Sequence, residues 1–431
     1  MSWQAIGEEP VRETLDSGLE IFVLPKPGLK KTYATYATHY GSIDSHFRRP
    51  GSGERVDVPD GIAHFLEHKM FEKETDPQVF ERFAQLGAYS NAYTEYITTT
   101  FLFSATSDIQ DCLETLLRVV EEPYFTEENV EKEKGIIEQE IRMYLDMPGE
   151  RLRSNLMRAL YHKNPVRLDI AGSVESIRTI TTEDLYLCYH TFYHPSNMAI
   201  FVAGDVDPGR IIDHLSTLEK RRALKPLPSI ERIFPEEPAG VAEKRVEQSM
   251  PVSTPLWLMG YKDGETGLSG RELLRHDMTM SLMWNLLLGS SSSLFNELYQ
   301  DGLINERFYA HYSSASNYAF SALGGETPDP ERLESTLTAR LPNQALRQAD
   351  LDRLKRKEMG EFLTLFENLE ELAFAFNALH FRGIDLAEVP TIIEGITMGD
   401  LEEARGRHLT ESARASSLVI PTPMTGAGGF R

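Results

Sequence analysis

The stretch "ERFAQLGAYSNAYTEYITTTFLFSAT", residues 81–106, has a weak echo about 215 residues later in "NELYQDGLINERFYAHYSSASNYAFSAL", residues 296–323. Each copy reads as a helix, a Gly-containing turn and two polar, β-branched or aromatic segments that end in Phe-Ser-Ala. An acidic helix such as "DIQDCLETLLRVVEE" follows. Duplication of one α+β unit is the economical explanation, and it restricts the chain to two homologous domains, each an antiparallel-rich sheet covered by helices. Between the copies lies "RRALKPLPSIERIFPEEPAG", whose prolines cannot sustain a helix or a central strand. The expected boundaries are an N-terminal domain over 1–222, a linker over 223–240, a homologous C-terminal domain over 241–420 and a mobile tail, "PTPMTGAGGFR", over 421–431.

A length of 431 residues with 41% hydrophobic content exceeds what one core accommodates, which agrees with two domains. The formal net charge of -22 repels phosphate backbones and anionic membranes, so nucleic acid and membrane partners are not expected. Cys112 and Cys188 are too few for a disulfide framework or a four-thiolate metal site, which fits a reducing compartment. The start "MSWQAIGEEPVRE" has neither the basic and apolar segments of a secretory signal nor an Arg-rich presequence. No apolar run approaches the ~18 residues of a membrane span. A soluble, cytoplasmic protein is expected.

Apolar spacing of three and four predicts helices over 61–73, 78–87, 108–121 and 126–146. The first contains "HFLEH". On a helix His64 and His68 stand one turn apart on one face, so their imidazoles can converge on one ion at about 2.0 to 2.1 Å. Glu67 turns with them; beside a metal-bound water its carboxylate can accept the water's proton and pass it to a leaving amine. With 12 histidines in the chain, such a His-x-x-Glu-His arrangement is expected by chance in roughly 0.03 chains of this length. That singles it out from scattered surface or core histidines.

A catalytic zinc site normally has three protein ligands and an open position. The acidic helix "TEENVEKEKGIIEQEIRMYLDMP" supplies Glu133 and Glu140, two turns apart on one face, and spacing alone does not choose between them or exclude a solvated acidic face. A second histidine pair, His190 and His194 beside Cys188, is read as packing, because Pro195 ends its helix and no carboxylate lies between the two.

The inverted zinc motif followed by Glu-x6-Glu resembles the pitrilysin or insulinase family of metallopeptidases, which includes the mitochondrial processing peptidases. "GAYSNAYTEYITTT", "AGSVESIRTITTEDL" and "FYHPSNMAIFVAGDVD" are similar to further landmarks of that family, and the likeness spans nearly the whole chain. It implies one Zn2+ per chain held by His64, His68 and Glu140, with Glu67 as general base and Glu133 supporting the ligands from behind. It also implies that the strand with Asn91 and Ala92 receives a peptide substrate as an added strand. Lys69 stands where many relatives carry an apolar residue, off the ligand face. Four such domains close into a clamshell chamber in the family, so a two-domain chain is half of a clamshell and a dimer is implied.

Active relatives carry an Arg and, seven residues on, a Tyr in the second half, which hold the substrate carbonyl and the developing oxyanion. The matching stretch "GSSSSLFNELYQDGLINERFYA" has Tyr299 and Asn305 near those places. Two outcomes are open: a heterodimer in which a homologous chain supplies the pair, or a homodimer in which Arg307 and Tyr309, two apart on an expected strand, replace it. The functional expectation is a zinc-dependent endopeptidase acting on peptides or unstructured segments. The alternative is a non-catalytic scaffold or assembly subunit of the same fold.

Overall fold

The structure, a computed structural model, describes residues 3–74 and 79–422. The expected tail lies outside the described residues except for Pro421, which ends a strand, and Thr422.

The chain forms two compact units. The first comprises Met1–Ile141, Asp169–Phe234 and Gly360–Pro390; the second comprises Arg142–Leu168, Pro235–Met359 and Thr391–Arg431. The first unit contains a six-stranded sheet in the order Val11–Thr14, Glu20–Pro25, Met198–Gly204, Thr32–Thr38, Thr99–Ala105, Tyr89–Thr94. Only the pairing of Glu20–Pro25 with Met198–Gly204 is parallel. The second contains a five-stranded sheet in the order Arg245–Met250, Arg414–Pro421, Leu256–Lys262, Ala319–Glu326, Tyr309–Ser314, and again only its first pairing is parallel. The five-strand order and the sense of every pairing therefore repeat, as the duplicated sequence requires, with Tyr89–Thr94 matched by Tyr309–Ser314 at the sheet edge. The Pro-rich stretch supplies one short strand, Glu231–Arg232, which pairs with His46–Arg48.

In the first unit the central strands are buried along their length, and Ile21, Val23, Tyr36, Phe101, Phe103, Ile200 and Val202 form one core with the helices Ile62–Lys69, Ile109–Glu121 and Thr182–Phe192. Strands this apolar on both sides need cover on both faces. The helix Leu369–His380 packs against strands Thr32–Thr38 and Met198–Gly204. Its Phe376 meets Phe22 and Phe201, and its Asn377 Nδ2 donates to Thr35 Oγ1 at 3.1 Å. In the second unit, helix Pro148–Leu160 lies on the strands Leu256–Lys262 and Arg414–Pro421.

The start of helix Ile62–Lys69 is fixed by a backbone crossing. Gly61, its N-cap, has φ 88°, and a Cβ there would lie 2.4 Å from the Ala171 carbonyl oxygen. Gly172, at φ 76°, leaves a Cβ only 2.5 Å from the Asp60 carbonyl oxygen, and Ser176 Oγ donates to that same oxygen at 2.9 Å. Two glycines that any side chain would push apart thus hold the motif helix against the "AGSVES" turn.

Candidate metal centre

His64 and His68 project from one face of Ile62–Lys69 with ring centroids 4.6 Å apart. The helix Glu127–Leu145 runs past them, its own apolar side anchored by Val130, Ile137 and Ile141. It brings Glu140 Oε1 to 3.6 Å from His64 Nε2 and Glu140 Oε2 to 3.4 Å from His68 Nε2. One ligand atom from each of His64, His68 and Glu140 lies within 4.8 Å of the others, the one such group of three among the described residues. These separations are long for hydrogen bonds but match the edge of a tetrahedron around an ion with bonds of about 2.0 to 2.1 Å, which is about 3.4 Å. The three side chains fit a zinc ion.

Glu133, two turns before Glu140, reaches the other nitrogen of the second histidine, with Oε1 3.0 Å from His68 Nδ1. Such a contact orients an imidazole and leaves its Nε2 toward the ion. Electrostatics agree with a cation site. Burial pulls His68 downward, but Glu133 and Glu140 outweigh it and hold the imidazole proton up to about 10, so the carboxylates favour positive charge here. Burial, with His68 beside it, pushes His64 down to about 4, leaving a neutral ring suited to ligation.

Glu67 is buried, which raises its pKa, while the Thr94 hydroxyl opposes the rise by donating to Oε2 at 2.6 Å. Thr94 closes the edge strand Tyr89–Thr94, so the carboxylate is tied to the strand that holds exposed Asn91 and half-buried Ala92. That strand pairs only with Thr99–Ala105 among the described residues. Thr94 was visible in the sequence only as part of the strand motif; its contact with Glu67 depends on helix and strand meeting.

Other sequence candidates behave differently. Helix Thr182–Phe192 ends before His194, whose Nδ1 contacts Ser196 Oγ at 2.9 Å, and His190 stacks on Tyr186, so neither joins a metal group. Arg307 lies in the turn before strand Tyr309–Ser314 and is not a strand residue, because Asn305 Oδ1 accepts from its amide at 2.9 Å and closes that turn. Both Arg307 and Tyr309 are exposed. Asn305 Nδ2 donates to Glu326 Oε2 at 2.9 Å, and Tyr299 is exposed on helix Ser293–Gln300.

A duplicated α+β fold with two histidines and a glutamate around one ion-sized space defines a half-size metallopeptidase-like protein. The chain belongs to the insulinase family, peptidase family M16: residues 51–174 match its "Insulinase (Peptidase family M16)" model and residues 179–357 match "Peptidase M16 inactive domain". It is 40% identical to the uncharacterized zinc protease YmfH of Bacillus subtilis over 423 residues, covering 98% of this chain and 99% of that protein. A putative M16-like peptidase from Alicyclobacillus acidocaldarius superposes with TM-score 0.92 at 38% identity, over 96% of this chain and 99% of that one. A protease from Helicobacter pylori shares the fold at TM-score 0.79 and 19% identity, over 96% of this chain and 100% of that one.

Proposed function

We propose that the protein is a zinc-dependent endopeptidase that hydrolyses peptides or unstructured polypeptide segments within a closed chamber, as the zinc-bearing subunit of a heterodimer. The observation that carries this reading is the convergence of His64, His68 and Glu140 within 4.8 Å, with Glu67 held beside them by Thr94. Bound there, zinc supplies a Lewis acid that polarises a peptide carbonyl and acidifies water.

The remaining work falls to the chain. Glu67 accepts a proton from the attacking water at Oε1, because Thr94 occupies Oε2, and returns it to the leaving amine. Glu133 fixes the tautomer of His68. The outer edge of Tyr89–Thr94, at Asn91 and Ala92, receives the substrate backbone as an added strand, which gives affinity with little sequence preference. The Arg–Tyr pair of active relatives is supplied by a homologous partner, since Tyr299 and Asn305 stand near its places. Losing one oxyanion donor costs about a hundred- to a thousandfold in turnover. We place the protein in the cytoplasm: Cys112 and Cys188 are buried free thiols, and no helix among the described residues is long and apolar enough to cross a membrane.

The test assays the chain alone and mixed with homologous chains of the same organism, on a flexible peptide at equal zinc content. Activity that appears on mixing and is lost when the partner's Arg or Tyr is changed is expected. Full activity from the isolated chain, abolished by changing Arg307 or Tyr309, would establish the homodimer. Protein purified without chelator and lacking zinc would favour the non-catalytic scaffold.

A further inference from the structure

Lys69 follows the second histidine of the motif and is fully buried, its side chain 0% exposed. A buried ammonium costs far more than a methionine of similar length would, unless charge and hydrogen bonds compensate it. Its compensation comes from two places. Glu72, one turn on and a third exposed, supplies the counter-charge. The Asn129 carbonyl oxygen, in the first turn of Glu127–Leu145, accepts from Nζ at 3.4 Å.

Asn129 is not an arbitrary contact. In an α-helix the carbonyl of residue 129 is the acceptor for the amide of residue 133, so the ammonium sits on the turn from which Glu133 projects. The last turn of the motif helix therefore meets the acidic helix twice in succession, Lys69 at Asn129 and His68 at Glu133. Asn129 is itself fixed: its Oδ1 accepts from the Thr126 amide at 3.0 Å and its Nδ2 donates to the Tyr124 carbonyl at 3.1 Å. Glu140 lies further along the same helix, about 10 Å beyond Glu133 and about 16 Å beyond Asn129 at 1.5 Å per residue. A tilt of about 5° at the anchored end moves Glu140 by about 1.4 Å over that lever, whereas metal–ligand distances tolerate about 0.2 Å.

We propose that Lys69 is a positioning residue for the metal centre, a buried ammonium clamp that sets the angle of helix Glu127–Leu145 and thereby the reach of Glu140 to the ion. The Lys69 ammonium meets Glu72 and the Asn129 carbonyl, and it acts through the backbone of the neighbouring helix. The inference rests on the zinc-site reading above and adds a residue to it.

The experiment is Co2+ titration of apo protein, wild type and Lys69→Met, followed by visible absorption, with thermal unfolding of both apo proteins. Wild type is expected to show the intense bands of a low-coordinate Co2+ site. Lys69→Met is expected to bind Co2+ about ten- to a hundredfold more weakly, with weaker bands, although its apo form unfolds at the same temperature or higher. A residue that only filled the core would change the unfolding temperature and leave spectrum and affinity alone; that result overturns the clamp. Lys69→Gln, whose shorter amide falls short of Asn129, is the second variant and is expected to lose Co2+ affinity in the same way. Wild type that takes up no Co2+ overturns the metal site and the clamp with it. Wild type that binds Co2+ with both variants unaltered overturns the clamp alone.

Discussion

The Thr94 hydroxyl donates to Glu67 Oε2 at 2.6 Å, joining the carboxylate of the metal motif to the last residue of the sheet's edge strand. Helix and strand are separated in the chain, and this bond gives the proposed proton acceptor and the proposed peptide-binding edge a common frame. Replacing Thr94 with Val keeps the shape and removes the donor. Peptide turnover is expected to fall about tenfold through kcat with zinc content unchanged, since the hydrogen bond orients a base and holds no metal. Steady-state kinetics with metal analysis checks this; loss of zinc together with activity would place Thr94 among the residues that hold the site together.

Glu140 and Glu133 face the same histidine from different nitrogens, so their amide variants should separate. Glu140→Gln removes a charged ligand atom and is expected to abolish zinc retention on gel filtration. Glu133→Gln leaves all three ligand atoms in place and is expected to weaken zinc about ten- to a hundredfold, with activity falling in step at limiting metal. Chelator competition measures both. Zinc lost only by the Glu133 variant would reverse the two roles.

How much of this was legible from residues alone follows physical lines. The His-x-x-Glu-His helix was legible because helical period and ligand chemistry coincide within eight residues, Ile62–Lys69. Glu133 and Glu140 were legible as a pair, but seven residues is nearly two whole turns, so pattern could not show that Glu140 approaches both histidines, at 3.6 and 3.4 Å, while Glu133 approaches His68 Nδ1 at 3.0 Å. The meeting of Gly61 with Ala171 and Gly172 was hidden, since a glycine's close neighbour is written far away in the chain. Lys69 illustrates the same limit: a helical wheel places it off the ligand face, while its full burial and its contact with the Asn129 carbonyl depend on segments distant in the chain. The assignment of helix Leu369–His380 to the first sheet was equally hidden, because amphipathic spacing states that a helix is covered and not by what.

A pH dependence follows from a cluster away from the metal. Glu121 Oε1 accepts from Tyr36 Oη at 3.2 Å and lies 3.1 Å from Arg222 Nη1, which also meets Glu219 Oε2 at 3.5 Å. Burial raises the Glu121 carboxyl from 4.5 to about 7, with Arg222 opposing and Glu219 adding to the rise. A carboxyl raised on folding binds its proton more tightly in the native state, so stability is highest below the unfolded pKa and falls as pH rises through the window from 4.5 to about 7. Glu121→Gln removes that loss. The variant's melting temperature is expected to exceed the wild type's by more at pH 8 than at pH 5; an equal difference at both would contradict the assignment.

The decisive experiment compares wild type with Glu67→Gln in zinc content and in hydrolysis of a flexible peptide, each assayed alone and mixed with homologous chains of the same organism. One zinc per chain is expected in both proteins, with turnover reduced at least a hundredfold in the variant, because the amide keeps the shape of the carboxylate and cannot take the proton. Undiminished turnover by Glu67→Gln at full zinc occupancy would contradict the proposed role of Glu67 as general base.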